Sequence, residues 1–198
     1  MTNDRYNEIL NSSEFQKELK PKLDRLHDQL VSGRASVLVG AGFSKNAEKK
    51  DGVEIKDWAG LARVFYKEIH GHEANSAEPS LRDPVRLASI ITFKHGHPYI
   101  DSILERELPD EKITPGNLHK ELVRLSWADI YTTNYDTLLE RAATPNAYQI
   151  VKGEDYILHK DAPRIIKLHG SFPDVKPYVI DEDDYENYID NHPKLTTA

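Results

Sequence analysis

Three short stretches combine residue types able to handle a charged small molecule. Gly40-Ala41-Gly42-Phe43-Ser44 follows the apolar run Val37-Leu38-Val39. Glycines let a backbone approach an anion closely, and a helix starting there aims unpaired N–H donors at it. No Gly-Lys-Ser/Thr stands at Walker A spacing, and Lys45 occupies the place of the third glycine in a G-x-G-x-x-G fingerprint. Alone, the loop reads equally as a phosphate contact or as a tight strand-to-helix turn. In Thr132-Thr133-Asn134-Tyr135-Asp136, Asn134 can orient a water or a ribose hydroxyl and Asp136 can accept from an amide. The plainer alternative makes Asp136 the N-cap of a helix starting at Thr137 and Asn134 a turn residue. In Leu168-His169-Gly170-Ser171, His169 is either a hydrogen-bonded structural group or a base at the end of a strand.

Two further groups are weaker candidates. His70-Gly71-His72 and His95-Gly96-His97 suggest a metal-dependent hydrolase, but no carboxylate stands at a recognised ligand spacing from either pair. The run Asp181-Glu182-Asp183-Asp184 suggests calcium, with a solvated surface turn as the commoner explanation.

The elements that must position these groups follow from periodicity. Phe15, Leu19, Leu23, Leu26 and Leu30 recur at helical spacing across 12–31, with Pro21 predicting a kink or a restart. Ser36 to Val39 predicts a buried strand. Asp57 is an N-cap candidate before Trp58, Leu61, Ala62, Phe65 and Ile69, a helix that stops near Gly71. After a loop over 70–84, helical patterns run from Val85 to Leu125 and read as a subdomain inserted between the first two strands. Asp129 to Thr133 predicts the second strand and Thr137 to Ala143 a helix. Tyr148–Val151, Arg164–Leu168 and Tyr178–Ile180 predict three more strands. Strands interleaved with helices give an α/β, Rossmann-like class with a mostly parallel sheet. In such sheets ligands bind outside the carboxyl ends of the strands, which is where all three motifs fall.

Composition bounds the rest. A chain of 198 residues with 38% hydrophobic and 30% charged residues suits one domain. The net charge of −7 disfavours attraction to nucleic acid or an anionic membrane. No stretch nears the roughly 20 apolar residues that span a bilayer, and the first twenty residues lack a signal-like apolar centre, so the expected location is cytoplasmic. There is no cysteine, hence no disulfide, thiol nucleophile or cysteine-based zinc site within this chain.

Taken together and in this order, Gly40 to Ser44, Thr132 to Asp136 and Lys167 to Ser171 resemble the sirtuin superfamily. Within it, they resemble the sirtuin-like NAD hydrolases of bacterial anti-phage systems such as Thoeris. Leu118-His119-Lys120 and Asp181 to Tyr185 add to the likeness, which covers about 35–190. The resemblance implies NAD as substrate and no metal. It implies that His169 is the general base, with a pKa near neutrality, and that Asn134 and Asp136, with Thr133 beside them, surround the nicotinamide ribose and carboxamide. Gly40, Ala41, Gly42, Phe43 and Ser44 would hold the pyrophosphate. On this reading Asn134 and His169 lie outside the packed core, and a bulky residue at Gly42 would strain the backbone as well as shut out the ligand.

The chain departs from the family pattern in two ways. Protein-deacylating sirtuins carry a four-cysteine zinc module, so its absence favours water over acyl-lysine as the nucleophile. The family also continues into a further strand with a Gly-Phe/Tyr-Ser turn, which is not found here, so the expectation is a catalytic domain truncated at its C-terminus. The helical stretch of about 70–125 would replace the family's small domain. A further C-terminal domain or a partner subunit that regulates activity, and a homo-oligomer, are expected. The rival reading is a module that senses NAD or a derivative without cleaving it.

Overall fold

The computed structural model describes residues 3–50, 52–152 and 162–196. Its centre is a four-stranded sheet of β1 (Ser36–Val39), β4 (Asp129–Thr132), β5 (Gln149–Val151) and β6 (Arg164–Lys167), in the order β1-β4-β6-β5 with every neighbour parallel. Parallel neighbours need crossovers. The longest, between β1 and β4, contains α3 (Ala41–Ser44), α4 (Trp58–His70), α5 (Pro84–His95), α6 (His97–Glu107) and α7 (Asn117–Arg124). It also contains a small antiparallel ladder, β2 (Glu48–Lys49) with β3 (Ile113–Thr114), too short for sequence periodicity to reveal. The helix α8 (Leu138–Ala142) follows β4.

Alternation sorts the strand residues. Val37, Ile130, Ile165 and Ile150 fall in one row across the sheet, and all four join a cluster with Val39, Val123, Trp127 and Leu139. β6 lies between two neighbours and is buried along its whole length, so its polar ends need partners. The Arg164 guanidinium donates to both carboxylate oxygens of Asp129, its register partner on β4, at 2.7 and 3.0 Å. Lys167 Nζ donates to the Asp136 carbonyl and lies 3.3 Å from Glu140.

The second core sits beyond the carboxyl ends of the strands. Phe65, Leu87, Ile91, Ile103 and Leu104 of α4 to α6 pack with Tyr135, Phe172, Tyr178 and Ile180 from the segments after β4 and β6. The helical layer thus rests on the loops that carry the motifs. α4 follows the sequence expectation closely. The Asp57 carboxylate accepts from Gly60 N–H at 3.0 Å to cap its start, and Gly71 ends it in the left-handed conformation at φ 74°. α7 lies with the sheet, since Val123 belongs to the sheet-side cluster.

Three expectations need correction. The stretch over 12–31 is not one regular α-helix but a π-helical turn (Phe15–Leu19) that restarts near Pro21 as α2 (Lys20–Val31), with α1 (Asn3–Asn11) before it. Pro21 falls in the first turn of α2, where its missing N–H is no loss. Tyr178–Ile180 is no strand, although all three residues are buried. Its N–H groups are taken instead by Asp101, the His169 carbonyl and Asp184. The acidic run is no solvated turn either. It opens α9 (Glu182–Glu186), where Asp181 and Asp184 form a capping box and Asp181 is only 3% exposed. Two short helices follow, α10 (Tyr188–Asn191) and α11 (Pro193–Thr196).

Candidate functional site

Register builds the site. Val39, Thr132 and Lys167 lie in one row, so β1, β4 and β6 finish level. With adjacent strands about 4.8 Å apart, the residues that follow emerge side by side. Thr133 N–H donates to the Val39 carbonyl at 3.2 Å and Leu168 N–H to the Thr132 carbonyl at 2.8 Å, which carries the alignment into the motifs.

The first two motifs are bonded to each other. Asn134 Nδ2 donates to the Gly40 carbonyl at 3.2 Å and to Ser44 Oγ at 2.9 Å, and Ser44 Oγ–H donates to Asp136 Oδ2 at 2.6 Å. Because the Gly40 carbonyl can only accept, the amide orientation is set and Asn134 Oδ1 faces the other way. That oxygen is buried and has no hydrogen-bond partner among the described residues. Asp136 stands one residue before the N-cap, which is Thr137; its Oδ1 accepts from Leu138 N–H at 3.2 Å while its Oδ2 accepts from Ser44.

His169 closes the third side. Tyr185 and Tyr188 stand edge-on to its ring at centroid distances of 5.4 and 5.8 Å. Gly170 then turns the chain back at φ 91°, and a side chain there would meet the Val175 carbonyl at 2.7 Å, so the residue after His169 must be glycine.

These groups line a cavity of about 250 Å³ walled by Ser44, Trp58, Asn134, Asp136, His169 and Tyr185 among others. Across Ala41, Asp57 and Trp58, which border both spaces, lies an open groove of about 640 Å³ running along Val37 to Phe43. Of the sequence-predicted residues, Ala41, Ser44, Thr133, Asn134, Asp136 and His169 border the cavity, and Gly40, Gly42 and Phe43 border the groove.

The site differs from expectation in three respects. Burial, assisted by nearby His192, pulls the His169 pKa down to about 4 rather than leaving it near neutrality. Asn134 is 8% exposed and ties two loops together, so it is part of the packed interior. Gly42 has no positive φ, and a Cβ there would meet nothing within 4 Å, so the fold itself does not require glycine at this position.

Sequence reasoning missed Gly116, whose backbone lies so close to the Asn46 carbonyl that a Cβ would stand 2.0 Å from it. Pro115-Gly116 was the available signal. It also missed the depth of His119, which is 1% exposed, edge-on to Phe43 at 4.9 Å and held below its usual pKa by burial.

A family model described as a SIR2-like domain matches residues 128–198, the part holding Asn134 and His169. That part of the chain is similar to a SIR2-like domain. Curated relatives agree in kind. The chain is 25% identical over 171 residues to Defense-associated sirtuin 2 of Bacillus subtilis, covering 83% of the chain and 16% of that protein. It is 29% identical over 181 residues to the NAD(+) hydrolase ThsA of Enterococcus faecium, covering 87% and 35%. To the NAD(+) hydrolase ThsA of Acinetobacter baumannii it is 27% identical over 201 residues, covering 93% and 37%. The chain therefore spans between about a sixth and somewhat over a third of the length of these relatives. Its all-parallel central sheet with helices above the strand ends suits a Rossmann-type SIR2-like fold. No helix among the described residues is long and apolar enough to cross a membrane.

Proposed function

We propose that this SIR2-like site hydrolyses NAD to nicotinamide and ADP-ribose and serves anti-phage defence by depleting NAD. The observation that carries the reading is the buried, unpartnered Asn134 Oδ1 beside His169, in a cavity that adjoins the glycine turn. The names of the relatives, a defence-associated sirtuin and NAD(+) hydrolases, support the substrate and the setting. The nicotinamide ribose fits the enclosed cavity, and the pyrophosphate passes Gly40 to Ser44 toward the open groove. Asn134 Oδ1 then accepts from a ribose hydroxyl or from the attacking water.

The chemistry asks little of acid catalysis. The bond between the anomeric carbon and the pyridinium nitrogen breaks with its electron pair going to nicotinamide, which leaves neutral. The ribose becomes oxocarbenium-like, so positioned dipoles and a held water matter most. Water oxygen bonds to the anomeric carbon, and its proton departs through neutral His169 to solvent. A water needs no peptide groove, and the chain holds no cysteine with which to build the zinc module of the deacylases. The same reading places the protein in the cytoplasm, with a further domain or partner subunit governing the site. The greater length of the relatives supports the further domain.

Incubating the purified protein with NAD alone should release nicotinamide and ADP-ribose in equal amounts. NAD loss that required an acyl-lysine peptide and gave acylated ADP-ribose would rule the hydrolase out. Saturable NAD binding without nicotinamide release would favour the sensing module. Gly42 offers an independent check. Because its surroundings are open, Gly42→Val should change stability by no more than about 0.5 kcal/mol in thermal unfolding. NAD affinity measured by calorimetry should nonetheless fall at least tenfold, since the added methyls occupy space a pyrophosphate would use. Unchanged affinity would remove the glycine turn from the ligand path.

A further inference from the structure

α6 begins at His97, and that imidazole meets the capping box of α9. Asp184 N–H donates to Asp181 Oδ1 at 2.9 Å, while Asp184 Oδ2 accepts from the N–H groups of Ile180 and Asp181 at 2.8 and 3.1 Å. Each carboxylate has one oxygen left over, and both face His97 Nε2: Asp181 Oδ2 at 3.6 Å and Asp184 Oδ1 at 3.4 Å. Asp181 is 3% exposed, and among the described residues no hydrogen bond reaches its Oδ2. His97 Nδ1 is buried without a partner among the described residues, so the ring's polar engagement there lies on the Nε2 side.

The three atoms lie within 4.8 Å of one another. Separations of 3.4 and 3.6 Å are long for hydrogen bonds. They are close to the ligand-to-ligand edge of a tetrahedral zinc centre, about 3.3–3.5 Å when the bonds are about 2.0–2.2 Å. Asp101, one turn further along α6 and 4% exposed, adds a third carboxylate to the neighbourhood of His97. Three carboxylates around one imidazole, two of them buried, are costly unless a cation shares the space.

We propose that His97, Asp181 and Asp184 bind a divalent transition cation of the zinc class through one nitrogen and two oxygens, with water completing the shell. Imidazole with carboxylates selects such a cation over calcium or magnesium, which prefer all-oxygen shells. The ion fastens the start of α6 to the start of α9. Tyr185, the residue after Asp184, stands edge-on to His169, so the ion steadies one wall of the cavity without touching the reacting atoms.

Titrating chelator-stripped protein with Zn²⁺ by calorimetry should give one ion per chain with a Kd on the order of 10 µM or tighter. Bound zinc should also raise the thermal midpoint by several degrees. His97→Gln and Asp184→Asn should each weaken binding at least tenfold. The asparagine keeps an amide oxygen for the cap, so α9 survives that change. Absence of saturable one-to-one binding would overturn the proposal, as would zinc binding that both variants leave intact, which would place the ion on exposed His70 and His72. A preference for Ca²⁺ or Mg²⁺ over Zn²⁺ would overturn it too.

Discussion

Asn134→Ala should lower NAD cleavage roughly 100- to 1,000-fold, the loss seen when one fixed polar group facing a reacting centre is removed. Two effects act together. The free Oδ1 disappears, and with it the acceptor that the cavity presents to a ribose hydroxyl or a water. The donor to the Gly40 carbonyl and Ser44 Oγ is lost as well, loosening the glycine turn against β4. The structural part should cost about 1–3 kcal/mol in denaturant unfolding, because two hydrogen bonds are lost, one of them to the buried Ser44 Oγ, while the Gly40 carbonyl keeps only Phe43 N–H. Asn134→Asp separates the two effects. It restores an oxygen toward the ligand but cannot donate to the Gly40 carbonyl, and it brings a second carboxylate toward Asp136. Activity should stay low in both variants when nicotinamide release is followed at saturating NAD. Turnover within threefold of the parent in a folded Asn134→Ala protein would sink the assignment.

Removing the His169 imidazole should cost roughly 100- to 10,000-fold in turnover, the range of positioned proton acceptors. The more discriminating test is pH. With its pKa pulled to about 4, His169 is already neutral throughout the physiological range, so kcat/KM should show no acid limb near 6.5. The limb should lie near pH 4, with activity lost as pH falls through that value. An inflection near 6.5 that vanishes in His169→Gln would show that the ring is not buried as described.

Stability should follow with a definite sign. Between the ordinary value of 6.5 and the folded value of about 4, the unfolded chain binds the His169 proton more readily than the folded one. Stability therefore rises with pH across that window, and the loss is complete below pH 4, at up to roughly 3 kcal/mol. Thermal midpoints should decline more steeply in acid for the parent than for His169→Gln, and parallel declines would show the site to be more open than described.

The sequence alone determined the elements whose signal is local. Ser36 to Val39, Asp129 to Thr132 and Arg164 to Lys167 are legible as strands because each is a short apolar or β-branched run, but β1 is not the buried strand expected: it lies at the sheet edge and Leu38 is 66% exposed. α4 is legible because its cap, period and terminating glycine sit within one window of chain. The three motifs stand out as strand ends for the same reason, and Gly170 was demanded by the local turn that follows His169.

What only the tertiary structure decided depends on partners far apart in the chain. The bond from Asn134 to Gly40 spans 94 residues, and Tyr178 N–H finds Asp101 across 77. Tyr178–Ile180 looks like a strand by composition, yet side chains from α6 and α9 take the N–H groups of Tyr178 and Ile180, and the His169 carbonyl takes that of Val179. His97 found no carboxylate at a familiar spacing, because Asp181 and Asp184 arrive from the far end of the chain when α9 docks beside α5 and α6. The basicity of His169 likewise comes from its surroundings, since desolvation depends on how Tyr185, Tyr188 and their neighbours close over the ring, and no window of sequence encodes that.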